Sequence, residues 1–228
     1  MEPFPDDIFN LADIVLRVAR EDPERIAVID LDGWEGYGTR RCRRHSCAEL
    51  SAGVESVAVG LREMGIAERT RIVCMSPPSY ETCVIGVALT RVGAFSIWID
   101  PAVGYRNVAE RLSRVKPEAF LGNALAHLGR ITFGWGPRNL RKLVLAGSPL
   151  VPGGRIIKGF PPFPGARSIK SLRKHAPAEP QPPNVGPDDP CAVLYTTGST
   201  GPAKPSLYLH RNFCQLFRNA HHSWRFDP

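Results

Sequence analysis

No apolar run in this sequence approaches the roughly 20 residues that a membrane-spanning helix requires. The first residues, Met1-Glu2-Pro3-Phe4-Pro5-Asp6-Asp7, lack the basic-then-apolar order of a secretory signal. No two of the six cysteines stand at the C-x-x-C spacing of a zinc site, and no metal-ligand set is read from the sequence. Cys74, Cys83 and Cys191 lie in apolar runs, where a thiol packs as a small hydrophobe. All six are expected as free thiols in a reducing compartment, which points to the cytoplasm. Acidic charge is in short supply: 22 Asp and Glu face 29 Lys and Arg, for a net +7. That excess is scattered. Its one tight run, Arg40, Arg41, Arg43 and Arg44, reads as a solvated loop and not as a nucleic-acid patch.

What remains is the material of a globular core. The chain has 228 residues, 43% of them hydrophobic, enough for one or two domains. Leu11, Ile14, Val15 and Val18 recur at helical spacing behind a capping Asn10, and Asp22-Pro23 ends that helix. Ile26 to Ile29 reads as a short strand, and Asp32 to Arg44 as a loop or hairpin. A second helix starts near Ser46, buries Leu50, Val54, Val57 and Leu61 on one face, and stops at Gly65. Then strands and helices alternate. Strands are read at Arg71–Met75, Phe95–Ile99, Ala119–Leu121 and Leu143–Leu145. Helices are read from Ser79 to Gly93, from about Gly104 to Lys116, and over Ala124–Phe133. The strands are continuous apolar runs, which predicts an α/β fold with a largely parallel sheet and helices on both faces. In such sheets ligands bind beyond the carboxyl ends of the strands.

Composition shifts after Gly147. Residues 148–190 hold eleven of the 22 prolines. Proline at that density excludes helix interiors and central strands, so this segment reads as a long surface excursion. The expected division is an α/β layer over 1–147, the Pro-rich excursion over 148–190, and a strand, loop and helix of the same domain over 191–228.

Order returns at the apolar strand Cys191–Tyr195, which runs into Thr196-Thr197-Gly198-Ser199-Thr200-Gly201-Pro202-Ala203-Lys204. Two glycines let backbone approach an anion closely. Successive N–H groups in such turns form an anion-binding concavity. The hydroxyl side chains add donors for phosphate oxygens, and Lys204 supplies a mobile point charge. The loop is not a Walker motif, because Pro202 and Ala203 separate Gly201 from Lys204. Nor does any strand lead into a G-x-G-x-x-G fingerprint, which argues against a dinucleotide fold.

The stretch Val193–Lys204 resembles the signature loop of the adenylate-forming superfamily, which includes acyl-CoA synthetases, firefly-type luciferases and peptide-synthetase adenylation domains. His210-Arg211-Asn212 is similar to the His-x-Asn those proteins commonly carry after the loop. Within the superfamily the chain looks most like the fatty acyl-CoA ligase-like β-lactone synthetases of long-chain olefin biosynthesis. That likeness rests on Asp100-Pro101 with Gly104 and Asn107, on Lys116 to Gly122, on Ala126-His127-Leu128 and on Gly134-Trp135-Gly136. The likeness spans most of the chain outside the Pro-rich segment.

The resemblance implies a protein that activates a fatty acid, β-hydroxylated in the olefin subgroup, with ATP and Mg2+ as an acyl-adenylate. Thr196, Thr197, Gly198, Ser199, Thr200, Gly201 and Lys204 would hold the ATP phosphates; no catalytic residue is assigned. Two local departures stand out. Pro205 replaces a glycine that usually follows the loop lysine, and Ser206-Leu207-Tyr208-Leu209 replaces a strand of smaller branched residues. The resemblance also implies that adenine, ribose and magnesium contacts, the hinge and the small C-terminal domain belong to positions past Pro228. The chain is thus expected to be an incomplete N-terminal domain of the fold, inactive alone, or completed by a second chain. Two alternatives stay open: a non-catalytic nucleotide-binding remnant, and an interaction module for a full-length homologue. His210 could line an acyl pocket, with a surface or capping place the simpler reading; His221 and His222 read as surface residues. Ser76-Pro77-Pro78-Ser79 reads as a structural turn at a strand end.

Overall fold

The structure, a computed structural model, describes residues 7–35, 39–100, 105–137, 139–147, 165–175, 182–196 and 204–224. The chain opens with α1 (Leu11–Glu21), a two-stranded ribbon of β1 (Ile26–Glu35) and β2 (Thr39–Ser46), and α2 (Cys47–Glu63). There follow β3 (Arg71–Met75), α3 (Tyr80–Arg91), β4 (Phe95–Trp98), α4 (Tyr105–Val115), β5 (Ala119–Gly122), α5 (Ala124–Phe133) and β6 (Lys142–Leu145). The last elements are β7 (Ala166–Ser168), α6 (Ile169–Leu172), β8 (Pro190–Thr196), β9 (Lys204–Leu209) and α7 (His210–Trp224).

Local chemistry sets the helix starts. Asn10 accepts from the Ala12 N–H at 3.0 Å, Ser46 from Glu49 at 3.2 Å, Ser79 from Thr82 at 3.2 Å and Asn123 from Ala126 at 2.8 Å. Each cap satisfies a donor that the first turn leaves unpaired, a contribution of about 1 kcal/mol.

Seven strands form one sheet in the order β7-β6-β5-β3-β4-β8-β9. All neighbours are parallel except β8 and β9. Strand side chains alternate between two cores. Ile72, Cys74, Ala119, Leu121 and Val144 pack with α2, α3 and α6. Val73, Met75, Phe120 and Leu143 pack with α4, α5 and Trp135 on the other face. Both sheet faces are thus covered, which is why the strands read as unbroken apolar runs. Strand β3 is the pivot: it pairs with β4 on one side and β5 on the other, so the chain reverses its direction of growth there.

Three expectations need correction. The segment 148–190 is not only a surface excursion. Within it β7 adds a parallel strand to β6, and α6 buries Ile169 and Leu172 completely. Leu172 fits because α2 offers Gly60, where a Cβ would stand 2.8 Å from the Leu172 Cδ2. A three-residue strand and a four-residue helix are too short to show a period among prolines. The arginine run is not in a loop: of the two readings of Asp32 to Arg44 the hairpin fits, since β2 pairs antiparallel with β1 and exposes Arg43 and Arg44 opposite Asp30 and Ile29. Finally, the strand read at Ile26–Ile29 extends to Glu35, and Ile29 and Leu31 remain exposed on it. Among the described residues no helix is long and apolar enough to cross a membrane.

Candidate active site

The carboxyl ends of β3, β4, β5 and β8 open together on a cavity of about 560 Å3. From β3 and the turn after it come Cys74, Met75, Ser76, Pro77 and Pro78; from the end of β4 come Trp98, Ile99 and Asp100. Asn123, Leu125, Ala126 and Trp135 form the wall beyond β5, and Leu194 and Tyr195 close it from β8. The cavity thus sits where β3 pivots the sheet, the crevice that open α/β sheets use for ligands.

Two local features shape the wall. Gly122 ends β5; a Cβ there would meet the Ala126 Cβ at 2.7 Å and Phe120 Cε1 at 2.9 Å. Its absence lets the first turn of α5 sit down on the strand end and brings Ala126 to the cavity. On the β3 side the Ser76–Ser79 turn is locked from within. The Thr82 hydroxyl donates to the Pro77 carbonyl at 2.7 Å, so it accepts from both Ser76 and Ser79 hydroxyls at 2.9 Å each. These hydroxyls build the turn, and its prolines face the cavity.

The lining is chemically quiet. Among the described lining residues Asp100 is the one charged group. Burial raises the Cys74 thiol far above its ordinary range, so it offers no thiolate nucleophile. Among the described residues no group of three or more His, Cys, Asp or Glu side chains is placed to hold a metal ion. The cavity therefore suits an apolar, water-excluded moiety more than an anion.

Of the anion-binding candidates, Thr196 directly follows the cavity-lining Tyr195. Thr196 ends β8 and Lys204 starts β9, and the two are cross-strand partners. Lys204 is exposed. Thr197, Gly198, Ser199, Thr200 and Gly201 lie outside the described residues. Tyr195, the last residue before Thr196, lines the cavity and carries the Arg111 guanidinium 5.3 Å from its ring centroid. A cation at that distance is attracted by the ring face and braces α4 against the strand end.

The sequence profile of the AMP-binding enzyme family matches residues 15–228. The chain belongs to that family. It is 33% identical over 219 residues to the olefin beta-lactone synthetase of Xanthomonas campestris pv. campestris, covering 92% of this chain and 36% of that protein. The olefin beta-lactone synthetase of Stenotrophomonas maltophilia is 32% identical over 207 residues, with 90% and 35% covered. The chain thus spans about a third of the length of these curated relatives. Among solved structures, acetoacetyl-CoA synthetase from Streptomyces lividans superposes with a TM-score of 0.71 at 22% identity, over 93% of this chain and 32% of that one. A Mycobacterium tuberculosis fatty acyl CoA synthetase gives 0.65 at 20% identity, over 90% and 36%. These likenesses show the fold: the N-terminal part of an adenylate-forming ligase, α/β with a mostly parallel sheet.

In this AMP-binding chain the His-x-Asn after the loop has a structural basis. Asn212 accepts from the Leu209 N–H at 2.7 Å and latches the junction of β9 and α7. His210 is 1% exposed, which corrects the surface reading. Its backbone N–H donates to the Asp189 carbonyl at 3.1 Å, and burial holds its imidazole below the ordinary histidine pKa. Asp189 just before β8 accepts from Gly186 N–H at 2.8 Å and from Arg69 at 2.9 Å, and these bonds hold its carboxyl below the usual carboxylate range. His210 does not line the cavity. The side chains of His221 and His222 lie outside the described residues. The cavity walls Met75, Trp98 and Trp135 were not among the predicted site residues. For Met75 and Trp98 the signal was their place at the carboxyl ends of apolar strands; Trp135 follows α5 and carried no such signal.

Proposed function

We propose that this chain forms the phosphate-holding part of an enzyme that activates a fatty acid with ATP. The observation that carries this reading is one of position: Thr196 follows Tyr195, which lines an apolar cavity at the carboxyl ends of β3, β4, β5 and β8, and Lys204 is the cross-strand partner of Thr196. The loop residues Thr196 to Gly201 and Lys204 hold the β- and γ-phosphates. The acyl tail lies against Met75, Trp98 and Trp135, away from water. A carboxylate oxygen of the acid attacks the α-phosphorus, the bond to the β-phosphate oxygen breaks, and pyrophosphate leaves with that electron pair. Catalysis on this chain's side is positioning and charge neutralisation. Magnesium bound with the nucleotide would supply further charge neutralisation there. The identity to two olefin beta-lactone synthetases supports a β-hydroxy acid as substrate, with its own hydroxyl as acyl acceptor. Residues 1–147 and 191–228 act as one domain in this reading, and β7 and α6 of the segment between them belong to its sheet and core. The six free cysteines favour a reducing compartment such as the cytoplasm.

Calorimetry with MgATP tests the phosphate role. The chain binds MgATP, and Lys204→Ala weakens binding at least tenfold, roughly the 1.4 kcal/mol that one charge-assisted contact supplies. Absence of binding, or binding indifferent to Lys204→Ala, would refute it. The chain alone gives no ATP–pyrophosphate exchange with a β-hydroxy fatty acid. Exchange that disappears in Lys204→Ala would show that it needs nothing further.

A further inference from the structure

Among the described residues lining the cavity, Asp100 is the one that carries a charge. Strands β4 and β8 run parallel, with Trp98 opposite Leu194. Two residues further along each strand direction stand Asp100 and Thr196. The Ile99 N–H still donates to the Cys74 carbonyl of β3 at 3.2 Å, so the chain holds its course past the end of β4. Neighbouring strands lie about 4.8 Å apart. Asp100 therefore sits at the loop end of the cavity, level with Thr196.

The other polar side chains of the lining are differently placed. Trp98 donates its Nε1–H to the Ser96 hydroxyl at 3.1 Å. Asn123 accepts from the Ala126 N–H through its oxygen, which leaves its amide group as a donor. Ser76 is hydrogen-bonded to Thr82 at 2.9 Å within its own turn. Tyr195 presents its ring to the Arg111 guanidinium. An ionised carboxylate differs from all of these. It accepts only, through two oxygens, and its hydrogen bonds are charge-assisted. A ligand that brings a hydroxyl hydrogen to the loop end matches it, and a ligand that brings only a second carboxylate does not.

We propose that Asp100 is the specificity-determining residue that recognises the β-hydroxyl of the acid. This rests on the reading that a β-hydroxy fatty acid lies in the cavity with its carboxylate towards the loop. In that pose the β-carbon, second from the carboxyl carbon, is at the loop end, and its hydroxyl donates to an Asp100 carboxylate oxygen. The tail runs on over Met75 and Trp135, which line the far part of the cavity. Asp100 then discriminates in two ways. It accepts from the hydroxylated acid, and it sets a like charge against the carboxylate of a plain fatty acid with no contact to offset the repulsion. Asp100 is exposed, so water screens both effects and the discrimination is about tenfold, well below what a buried acceptor gives.

The test is binding of β-hydroxydecanoate and of decanoate, followed through the fluorescence of Trp98 and Trp135 in the cavity wall. The parent chain is expected to bind the hydroxylated acid about tenfold more tightly. Asp100→Ala brings the two affinities together. Asp100→Asn, which keeps an uncharged acceptor of the same shape, leaves a preference of intermediate size. Decanoate binding by each variant shows that its cavity is formed. Equal affinity of the parent chain for the two acids overturns the proposal, as does a preference undiminished in either variant. Both of those results leave the acyl reading of the cavity standing. A parent chain that binds neither acid overturns that reading together with this one.

Discussion

Arg91 is the charged side chain most deeply committed to the helical layer. It is 5% exposed on α3, yet its guanidinium reaches Glu55 of α2 at 3.0 Å and Asp13 of α1 at 3.6 Å. One cation thus ties three helices together. Removing a single member of a buried pair leaves the other charge without its partner, at a cost of about 3–5 kcal/mol. Arg91→Ala is therefore expected to lose several kcal/mol in urea unfolding, since Glu55 is itself only 13% exposed. Replacing both members by apolar residues, as in Arg91→Met/Glu55→Leu, recovers most of that loss. Equal destabilisation in the single and double variants would mean that packing, and not charge, makes the site sensitive.

At the scale of elements, sequence and structure agree where a short-range rule operates. Strand β3 spans Arg71–Met75 as its apolar run predicts, and α5 spans Ala124–Phe133. Caps at Ser46 and Ser79 act through their own hydroxyls, so the start of each helix is written locally. Agreement fails where the cause is distant. Helix α6 exists because Leu172 fills space left by Gly60, more than a hundred residues earlier in the chain. His210 is buried because α7 folds back on β8 and β9, which no local pattern announces. The candidate site divides the same way. The loop is legible as a string, whereas the cavity is assembled from four strand ends spread between Cys74 and Tyr195. The status of α6 can be measured. Leu172→Ala should cost about 2–5 kcal/mol, as for a core leucine. A residue on a surface excursion would change stability by no more than about 0.5 kcal/mol, and that result would remove α6 from the core.

For the whole molecule, stability is coupled to pH through His127, which is fully buried on α5 between the sheet and its helical layer. Its Nε2 lies 3.0 Å from the Val144 carbonyl of β6, so Nε2 carries the proton and donates. Burial lowers the imidazole pKa from the ordinary 6.5 to about 4, with nearby Arg130 pushing the same way and the Val144 bond opposing. The folded state therefore prefers the neutral ring. Above pH 6.5 both folded and unfolded chains hold it neutral, and the contribution to stability is complete. As pH falls from 6.5 towards 4 the unfolded chain takes up a proton that the folded chain refuses, and stability declines. The full loss is about 3 kcal/mol, and about 2 kcal/mol of it has gone by pH 5. His210 is buried and shifted in the same direction, so the parent protein's pH dependence is the sum of both. The variant His127→Gln isolates one part, since glutamine keeps a donor for the Val144 carbonyl and does not titrate. Urea midpoints at pH 7 and pH 5 should therefore differ less in the variant than in the parent, by about 2 kcal/mol converted through the common slope. An unchanged difference would mean that His127 is protonated in the folded sheet, and that its bond to Val144 offsets burial more fully than the geometry implies.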